Sequence, residues 1–297
     1  MTILFPAHPL TSREPDPDYA EEFIAAGAYG FNRAFFILER LRAGEPDSSL
    51  AMLPASGPPD SRILYRGWML TDVQQEALYE SLVRRGYSPV ATPDAYQESH
   101  FLPNAYEKFQ EFTAKSAWIR GRDREAAWAL YQEFRAEDAL IKDFVKSAKH
   151  RWKEACFIPA GSNQSEFGAI LSAFFGARGD QFNHGIVIRR FHPLTILGTD
   201  LRGFPIAEEY RMFFWQGELL TAAPSMPGSD PLEHRTTWEV VARRFQNPFL
   251  SIDVAREQSG AWLIIEIGDG GVTGLPMSIE AEDFYRALAE RTRRLHS

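Results

Sequence analysis

The sequence is poor in cysteine, has no long hydrophobic run and carries no excess of basic residues. Its single cysteine, Cys156, excludes an internal disulfide framework and indicates a reducing compartment. No stretch of about 18 apolar residues is present, so no membrane-spanning helix is predicted. "MTILFPAHPL" lacks the basic start and apolar length of a signal peptide. The net charge of −8 argues against nucleic acid or an anionic membrane as the main partner. We therefore expect a cytoplasmic protein.

Several catalytic motifs are also absent. The sequence has neither GxSxG nor HExxH, and its seven histidines are scattered without ligand spacing. "RGWMLTD" lacks both the dinucleotide glycine fingerprint and a GK[ST] triplet. Cys156 has no obvious histidine partner, so we expect a packed thiol. What is present is an ordinary globular composition, with 44% hydrophobic and 24% charged residues.

We predict an α+β fold in three parts, and the first, residues 1–112, is an α/β unit. "TILF" predicts a strand, and 21–44 is predicted to be mainly helical with an interruption around Gly27–Gly30. Residues 44–60 are rich in Pro, Gly and Ser and predict a loop. "RILYR", "TDVQQEALYESLVRRG" and "YSPVAT" then predict a βαβ unit over 62–92, with Thr71 or Asp72 as the N-cap of its helix.

The second part, residues 113–180, is predicted to be a small lid. "DREAAWALYQEFRAE" has the pattern of an amphipathic helix. If "ALIKDFVKSAKHRW" is extended, its side chains alternate between two faces. The face of interest would carry Leu140, Lys142, Phe144 and Lys146. The lysines either protect a solvated edge strand from aggregation or bind phosphate beside a flap at 143–155.

The third part, residues 181–297, is predicted to be mostly antiparallel sheet. Strands are expected over "GIVIRRF", "AEEYRMFFW" and "GELLTA", with helices over 235–246 and 279–295. Alternation places Glu209 and Arg211 on one face of their strand. The pair is either a cross-strand ion pair or an arginine directed at a phosphate.

A predicted hairpin, "FLSIDVARE" followed by "AWLIIEIG", carries two acids among apolar residues. If Ser259 and Gly260 form the turn, Asp253 and Glu266 face each other across the ladder, where like charges destabilise the pair. A Mg²⁺ ion would reverse that repulsion, because it is commonly held by one or two carboxylates and by phosphate oxygens. The alternative is that one acid lies at a wet sheet edge in a shifted register.

The order of these elements resembles the ATP-grasp superfamily over roughly residues 60–290. The resemblance is carried by "TAKSAW", "LIKDFVKSAKHRW", "GIVIRRFHPL", "EEYRMFFWQGEL" and "SIDVA…WLIIEIGDGGVTGLP". "YRGWML", with "EEYRMFF" and "IEIGDG", points to an uncharacterised prokaryotic branch. The resemblance implies an α/β N-terminal unit followed by antiparallel-sheet ATP-grasp domains.

The resemblance also implies roles for single residues, with ATP and Mg²⁺ as cofactors. Arg211 would reach the γ-phosphate or an acyl-phosphate and, with Lys142, carry catalysis. The family's third metal ligand, often Asn, falls at Gly268, for which Asp269 could substitute. Arg190 stands where an acid is common in the adenine-side strand. The implied nucleotide contacts are Lys115, Lys142, Lys146, Arg189, Glu209 and Arg211, and the implied metal ligands are Asp253, Glu266 and Asp269.

The activity implied is that of an ADP-forming carboxylate–amine ligase. Its partners would be small-molecule or peptide carboxylates and amines, without nucleic acid or membrane, and a homodimer is left open. The alternatives are an ATP-grasp-type kinase, a nucleotide-binding module that has lost catalysis, and an interaction protein on an inherited scaffold. Arg66, Trp68 and His100 are candidates for a substrate pocket, although a structural ion pair explains Arg66 equally well.

Overall fold

The computed structural model describes residues 1–57, 61–200, 203–224, 226, 228 and 230–293. Among these residues no helix is long and apolar enough to cross a membrane. The strands are β1 (Thr2–Pro6), β2 (Asn32–Phe36), β3 (Arg62–Tyr65), β4 (Ser88–Pro89), β5 (Ser116–Arg120), β6 (Ala139–Asp143), β7 (Phe157–Ile158), β8 (Gly185–Arg190), β9 (Ile196–Thr199), β10 (Pro205–Ala207), β11 (Glu209–Trp215), β12 (Glu218–Pro224), β13 (Phe249–Arg256) and β14 (Trp262–Asp269). The α-helices are α1 (Ala20–Ala28), α2 (Leu38–Arg42), α3 (Pro46–Ser49), α4 (Asp72–Arg84), α5 (Pro93–His100), α6 (Leu102–Ala105), α7 (Arg124–Tyr131), α8 (Trp152–Ala155), α9 (Gln164–Arg178), α10 (Arg235–Ala242) and α11 (Ala281–Arg293).

Contacts between residues divide the chain into two compact units. The first unit contains 1–99, 197–254 and 266–297, and the second contains 100–196 and 255–265. This division by contact differs in kind from the three consecutive parts predicted at 1–112, 113–180 and 181–297, which stay a prediction. The α+β fold class is confirmed, because parallel and antiparallel sheets occur in one chain with helices packed on them.

The first unit holds a parallel sheet, ordered β2-β1-β3-β4, and the main antiparallel sheet, ordered β12-β11-β13-β14. Alternate residues of β1 face opposite ways, so Ile3 and Phe5 pack on one side and Leu4 on the other. The Phe5 side shares a core with Phe213 of β11 and with Phe284 of α11. One apolar core therefore joins the two sheets within this unit.

The predicted βαβ unit is confirmed. β3 pairs with β4 in parallel, and α4 lies between them. Thr71 accepts a hydrogen bond from the backbone N–H of Gln74, whose side chain in turn accepts one from the N–H of Thr71. This reciprocal cap satisfies two N–H groups that a helix start leaves unpaired, and it fixes the start of α4.

The prediction of mainly helical structure over 21–44 is wrong in its middle. α1 ends at Ala28, Gly30 takes a positive φ of 87°, and "NRAFF" forms β2 instead of continuing the helix. β2 pairs along its whole length with β1. The physical reason is the pairing itself: aromatic residues suit a pleated sheet, and a partner strand distant in sequence decides between the two conformations.

The second unit is built on the sheet β5-β8-β6-β7, which is antiparallel. Its core lies between this sheet and helices α7 and α9. Ile141 of β6 and Ile188 of β8 are buried there, as are Phe167 and Phe174 of α9. Because the inward residues of β6 alternate with partly exposed ones, Leu140 and Lys142 lie on the other face of the strand.

Candidate functional site

The site in the first unit is centred on Arg211 of β11. Its Nε donates to Asp253 Oδ1 at 2.9 Å and its Nη2 donates to Asp253 Oδ2 at 2.7 Å, which makes a two-pronged ion pair. Its Nη1 donates to the carbonyl of Gly274 at 3.1 Å. The hydrogen bonds to Asp253 raise the pKa of the Arg211 guanidinium, and the negative charges of Asp253, Glu266 and Glu209 raise it further.

Because the charges of Glu266 and Glu209 raise the pKa of Arg211, both carboxylates lie within electrostatic range of its guanidinium. The structure thus brings three acids that the sequence singled out, Asp253, Glu266 and Glu209, around the guanidinium of Arg211. Neighbouring strands carry these acids: β13 lies between β11 and β14 in the sheet. The arrangement is a cation surrounded by carboxylates on partly exposed strand faces, where charged ligands can approach.

The hairpin that carries Asp253 and Glu266 has the predicted register at one end only. At its base Gly270 donates to the carbonyl of Phe249, as the predicted pairing requires. At its tip Glu257 donates to the carbonyl of Ala261, one residue away from the predicted partner. The turn is therefore wider than the predicted two-residue loop, and Gly260 in it has a φ of 93°.

The loop 270–274, which we call the glycine loop, follows β14 and is held by a buried arginine. Arg66 donates from Nη1 to the carbonyls of Gly270, at 2.8 Å, and of Thr273. Its Nε and Nη2 donate to the two carboxylate oxygens of Glu22, at 2.6 and 2.8 Å. Tyr285 also donates to Glu22, at 3.0 Å. The structural ion pair is therefore the reading of Arg66 that the contacts support.

Asp269, a predicted metal ligand, is buried just before the glycine loop. Its Oδ1 accepts hydrogen bonds from the backbone N–H groups of Gly271 and Val272, at 2.8 and 3.1 Å. Its Oδ2 accepts one from the Asn247 side chain at 2.7 Å. Burial raises the pKa of Asp269 to about 6, although these hydrogen bonds act to lower it. Its metal role stays a prediction, and the observed contacts describe a carboxyl that shapes the loop.

Gly268, where the resemblance expects a third ligand, has little room for a side chain. A Cβ at this position would lie 3.1 Å from Ser251 Oγ and 3.2 Å from Thr273 Oγ1. These two hydroxyls hydrogen-bond each other at 2.8 Å. Within the residues that the structure describes, no group of three or more His, Cys, Asp or Glu side chains could hold a metal ion.

In the second unit, β6 ends at Asp143, so the extended form that would place Leu140, Lys142, Phe144 and Lys146 on one face holds only up to that residue. The buried Asp143 carboxylate accepts hydrogen bonds from the N–H groups of Val145 and Lys146, at 2.8 and 2.6 Å, and turns the chain there. Arg178 balances its charge at 2.8 Å. Phe144 is consequently buried, while Lys142 and Lys146 are partly exposed at either end of the turn.

Two other predicted nucleotide contacts have identifiable surroundings. Lys115 is exposed just before β5, and its Nζ lies 4.9 Å from the centre of the Phe134 ring. Arg189 is buried and donates to the Thr113 hydroxyl and to the carbonyls of Ile264 and Ile265, at 2.6 to 3.1 Å. Arg189 therefore fastens the tip of the hairpin, and its role toward a nucleotide stays a prediction.

The three substrate-pocket candidates have different surroundings. Arg66 is buried, as described. His100 is buried against Phe101, with ring centres 5.4 Å apart. Trp68 is 37% exposed, and its indole N–H donates to Asp16 at 3.0 Å. Sequence reasoning missed Glu22; the available signal was an acid within the apolar pattern of α1.

Comparison with known proteins gives one family. Residues 130–288, more than half of the chain, match the ATP-grasp domain, R-two-K clade family 3. No curated protein matches the sequence.

Solved structures share the fold at low identity. The chain is similar to the RimK domain protein ATP-grasp from Sphaerobacter thermophilus DSM 20745, with a TM-score of 0.63, 12% identity and 98% of each chain covered. It is similar to D-alanyl-alanine synthetase A from Vibrio cholerae O1 biovar eltor str. N16961, with a TM-score of 0.59 and 13% identity over 100% of this chain and 99% of that one. The ATP-grasp ligase PsnB, solved with a minimal precursor variant, Mg and ADP, gives a TM-score of 0.56 and 13% identity over 98% of both chains.

Proposed function

We propose, from the premise that this chain belongs to that ATP-grasp domain family, that it is an ATP- and Mg²⁺-dependent ligase. It would activate a substrate carboxylate as an acyl-phosphate, release ADP and join the acyl group to an amine. The observation that carries the proposal is the charge arrangement around Arg211, with Asp253, Glu266 and Glu209 in range. The synthetase and the PsnB ligase, which share the fold, support the reaction class.

The residues present fit a magnesium ion held by two carboxylates. Asp253 accepts two hydrogen bonds from Arg211, and a carboxylate offers about four lone-pair sites, so acceptor capacity remains. Glu266 would be the second ligand, and phosphate oxygens would complete the shell. When bound, the ion would supply neutralisation of the charge on the phosphate oxygens.

Arg211 would act on the phosphoryl group that is transferred. Its side chain is 34% exposed, and three of its five N–H groups are used by hydrogen bonds within the described part of the chain. The remaining donors can meet charge that develops on phosphoryl oxygens. Asp253 and Gly274 hold the guanidinium in place, so its orientation does not have to be established during the reaction.

The chemistry proceeds in two displacements. A carboxylate oxygen of the substrate attacks the γ-phosphorus, the bond to the bridging oxygen of ADP breaks, and ADP leaves. The amine nitrogen then attacks the acyl carbon, the carbon–oxygen bond to phosphate breaks, and inorganic phosphate leaves as the amine loses a proton. An acyl-phosphate hydrolyses if water reaches it, and we assign the task of excluding water to the flap over 143–155. Lys115, Lys142 and Lys146 are the proposed phosphate contacts of the second unit.

Trp68 is the proposed contact for the organic substrate. It follows β3 at the carboxyl end of the parallel sheet, where α/β units usually bind ligands. Gly67 donates to the carbonyl of Gly271 at 2.9 Å, so the Trp68 segment is attached to the glycine loop. Trp68→Ala should raise the KM of the organic substrate several-fold. Trp68→Phe, which keeps an aromatic ring, should give a KM closer to that of the wild type. The KM of ATP should not change in either variant. Equal changes in both KM values would contradict this assignment.

The test of the reaction is ADP release by the purified protein with ATP and Mg²⁺, screened against amino acids, short peptides and polyamines. We expect release that requires a carboxylate together with an amine, and a hydroxamate when hydroxylamine replaces the amine. Asp253→Asn should abolish release, and Asp283→Asn, an exposed acid paired with Arg286, is the charge-matched control. ADP formation that no acid affects but an alcohol stimulates would identify a kinase instead.

The second candidate is a nucleotide-binding module without catalysis, and the observation that favours it is Gly268. The Ser251 and Thr273 hydroxyls occupy the space that a ligand side chain there would need. Titration with ATP and Mg²⁺ separates the two. Tight binding that Asp253→Asn does not weaken, without turnover on any substrate pair, would support the module and contradict the ligase.

A further inference from the structure

A cavity of the first unit lies at the edge of the parallel sheet where its strands begin. Thr2 of β1 pairs with Asn32 of β2 and with Ile63 of β3, so the residues before these three form a row at that edge. Ala289, Thr292 and Arg293 of α11 complete the wall. The cavity has a volume of about 280 Å³, and its lining includes Met1, Phe31 and Arg62 from the strand edge.

This cavity is separate from the candidate site around Arg211. β3 begins at Arg62, which lines the cavity, and ends at Tyr65, directly before Arg66 and the glycine-loop contacts. A strand rises by about 3.3 Å per residue, which puts Arg62 and Arg66 roughly 13 Å apart along the chain. The proposed ligase chemistry uses none of the residues that line the cavity.

Two guanidinium groups line the cavity without a carboxylate partner in the part of the chain that the structure describes. Arg62 lies over the Trp215 ring, 5.6 Å from its centre. Arg293 donates from Nη2 to the carbonyl of Tyr29 at 3.3 Å. Both partners are neutral, so they orient the guanidinium groups, and no carboxylate among the described residues balances their charge. By contrast Arg291, two residues earlier on α11, is paired with Glu218.

The charge balance of the cavity is positive. None of its described lining residues is acidic. The guanidinium groups of Arg62 and Arg293 both carry positive charge into its lining. The whole chain is acidic, at −8, so this concentration of positive charge opposes the general trend. A bound anion would neutralise it.

We propose that this cavity binds a small polyvalent oxyanion of phosphate chemistry. Guanidinium groups match phosphate oxygens through paired N–H donors, and two of them can hold a doubly charged group from two sides. The volume suits a small phosphate-bearing molecule and is too small for a nucleic acid. A ligand there would join the starts of β1 and β3 to Arg293 of α11, at a distance from the chemistry.

The test is calorimetric titration with inorganic pyrophosphate, and separately with citrate, in the absence of Mg²⁺. Arg62→Gln with Arg293→Gln should weaken pyrophosphate binding by at least about tenfold, since each charged hydrogen bond contributes on the order of one decade. The matched control is Arg40→Gln with Arg286→Gln, two exposed arginines of the same unit outside the cavity, with the same change in charge. The control should bind as the wild type does.

Three results would overturn the proposal: no pyrophosphate binding by the wild type, unchanged binding by the cavity variant, or equal weakening in both double variants. Tighter binding of citrate than of pyrophosphate would replace the phosphate assignment by a carboxylate one. Thermal unfolding checks that the variants fold. If the double variant does not, Arg293→Gln alone is the substitute, since Arg293 is exposed on α11. The readout is independent of ligase activity.

Discussion

Two arginines of the first unit make the same contacts in different surroundings. Arg66 forms a bidentate ion pair with Glu22, and Arg211 forms one with Asp253. Both also donate to carbonyls of the glycine loop, Arg66 at Gly270 and Thr273, Arg211 at Gly274. The side chains of the first pair are 1% and 9% exposed, those of the second 34% and 17%. Burial, and not the type of contact, distinguishes the structural pair from the one available to a ligand.

The difference follows from the cost of burying charge. Removing an arginine and a carboxylate from water costs several kcal/mol each, and only good geometry with further hydrogen bonds offsets it. Burial acts to lower the pKa of Arg66, but the charge and hydrogen bonds of Glu22 raise it overall. Arg66 donates to four acceptors, while Arg211 keeps donors for a ligand. The comparison teaches that a buried arginine with all its contacts inside the protein supports the loop, whereas a partly exposed one can still reach a ligand.

The largest effect is expected from Arg66→Met. It leaves Glu22 buried without its partner and should lower the free energy of unfolding by about 3–5 kcal/mol. Urea unfolding followed by circular dichroism measures the change. Glu22→Leu combined with Arg66→Met should be less destabilised than Arg66→Met, because no unpaired charge remains. A double variant less stable than the single one would contradict the buried-charge explanation.

Arg211→Lys should act on catalysis more than on stability. Losing a preorganised donor at a developing charge costs about 10²–10³ in rate, and the fork geometry that lysine lacks is what Arg211 supplies. Stability should change by about 1 kcal/mol or less, since the pair is partly exposed. Steady-state ADP release and urea unfolding report the two effects. Arg286→Gln, on the exposed face of α11, is the control with neither effect.

Asp269 gives a pH-dependent effect of intermediate size. Its folded-state pKa, about 6, lies above the unfolded value of 3.8, so the folded protein binds its proton more tightly. This group therefore favours folding fully below pH 3.8, and the contribution is lost as the pH rises to about 6. The loss amounts to at most about 3 kcal/mol. The free energy of unfolding of the wild type should fall over that interval, and that of Asp269→Asn should fall less. Urea unfolding at several pH values measures both. Parallel curves for the two proteins would refute it.

The smallest effect is expected at Arg40, whose ion pair with Glu45 has exposed side chains on both sides. Arg40→Gln should change the free energy of unfolding by about 0.5 kcal/mol or less, because water screens exposed pairs. Thermal or urea unfolding measures this change, which is the reference against which the larger loss in Arg66→Met is compared. A loss approaching that of Arg66→Met would show that burial does not rank these pairs.

Much of the fold could be predicted from local sequence. The start of α4 follows from its cap at Thr71, the strand β11 from its alternation, and the hairpin from its two apolar runs. The end of β6 could not be predicted from strand alternation alone. Asp143 turns the chain because Arg178, from another helix, balances its buried charge. β2 was likewise missed, since its conformation depends on pairing with β1.

The site was predictable in part for the same reason. Asp253, Glu266 and Arg211 were found from alternation along single strands, and the structure groups them. The role of Arg66 was left undecided because its partner Glu22 lies 44 positions away in the sequence. Asp269 was proposed as a ligand from its position, and only its burial revealed the hydrogen bonds to its own loop. Local patterns give the direction of side chains, and packing decides what each one contacts.

The contacts of Arg66 also bear on how the chain assembles during synthesis. Its acceptors are Glu22, near the start of the chain, and Gly270 and Thr273, near its end, while Tyr285 of α11 completes the cluster. This cluster therefore cannot be completed during synthesis until residues 270–285 have been made. Nearly all of the second unit is contiguous, over 100–196, so it can begin to fold while the N-terminal segment still waits for its partners.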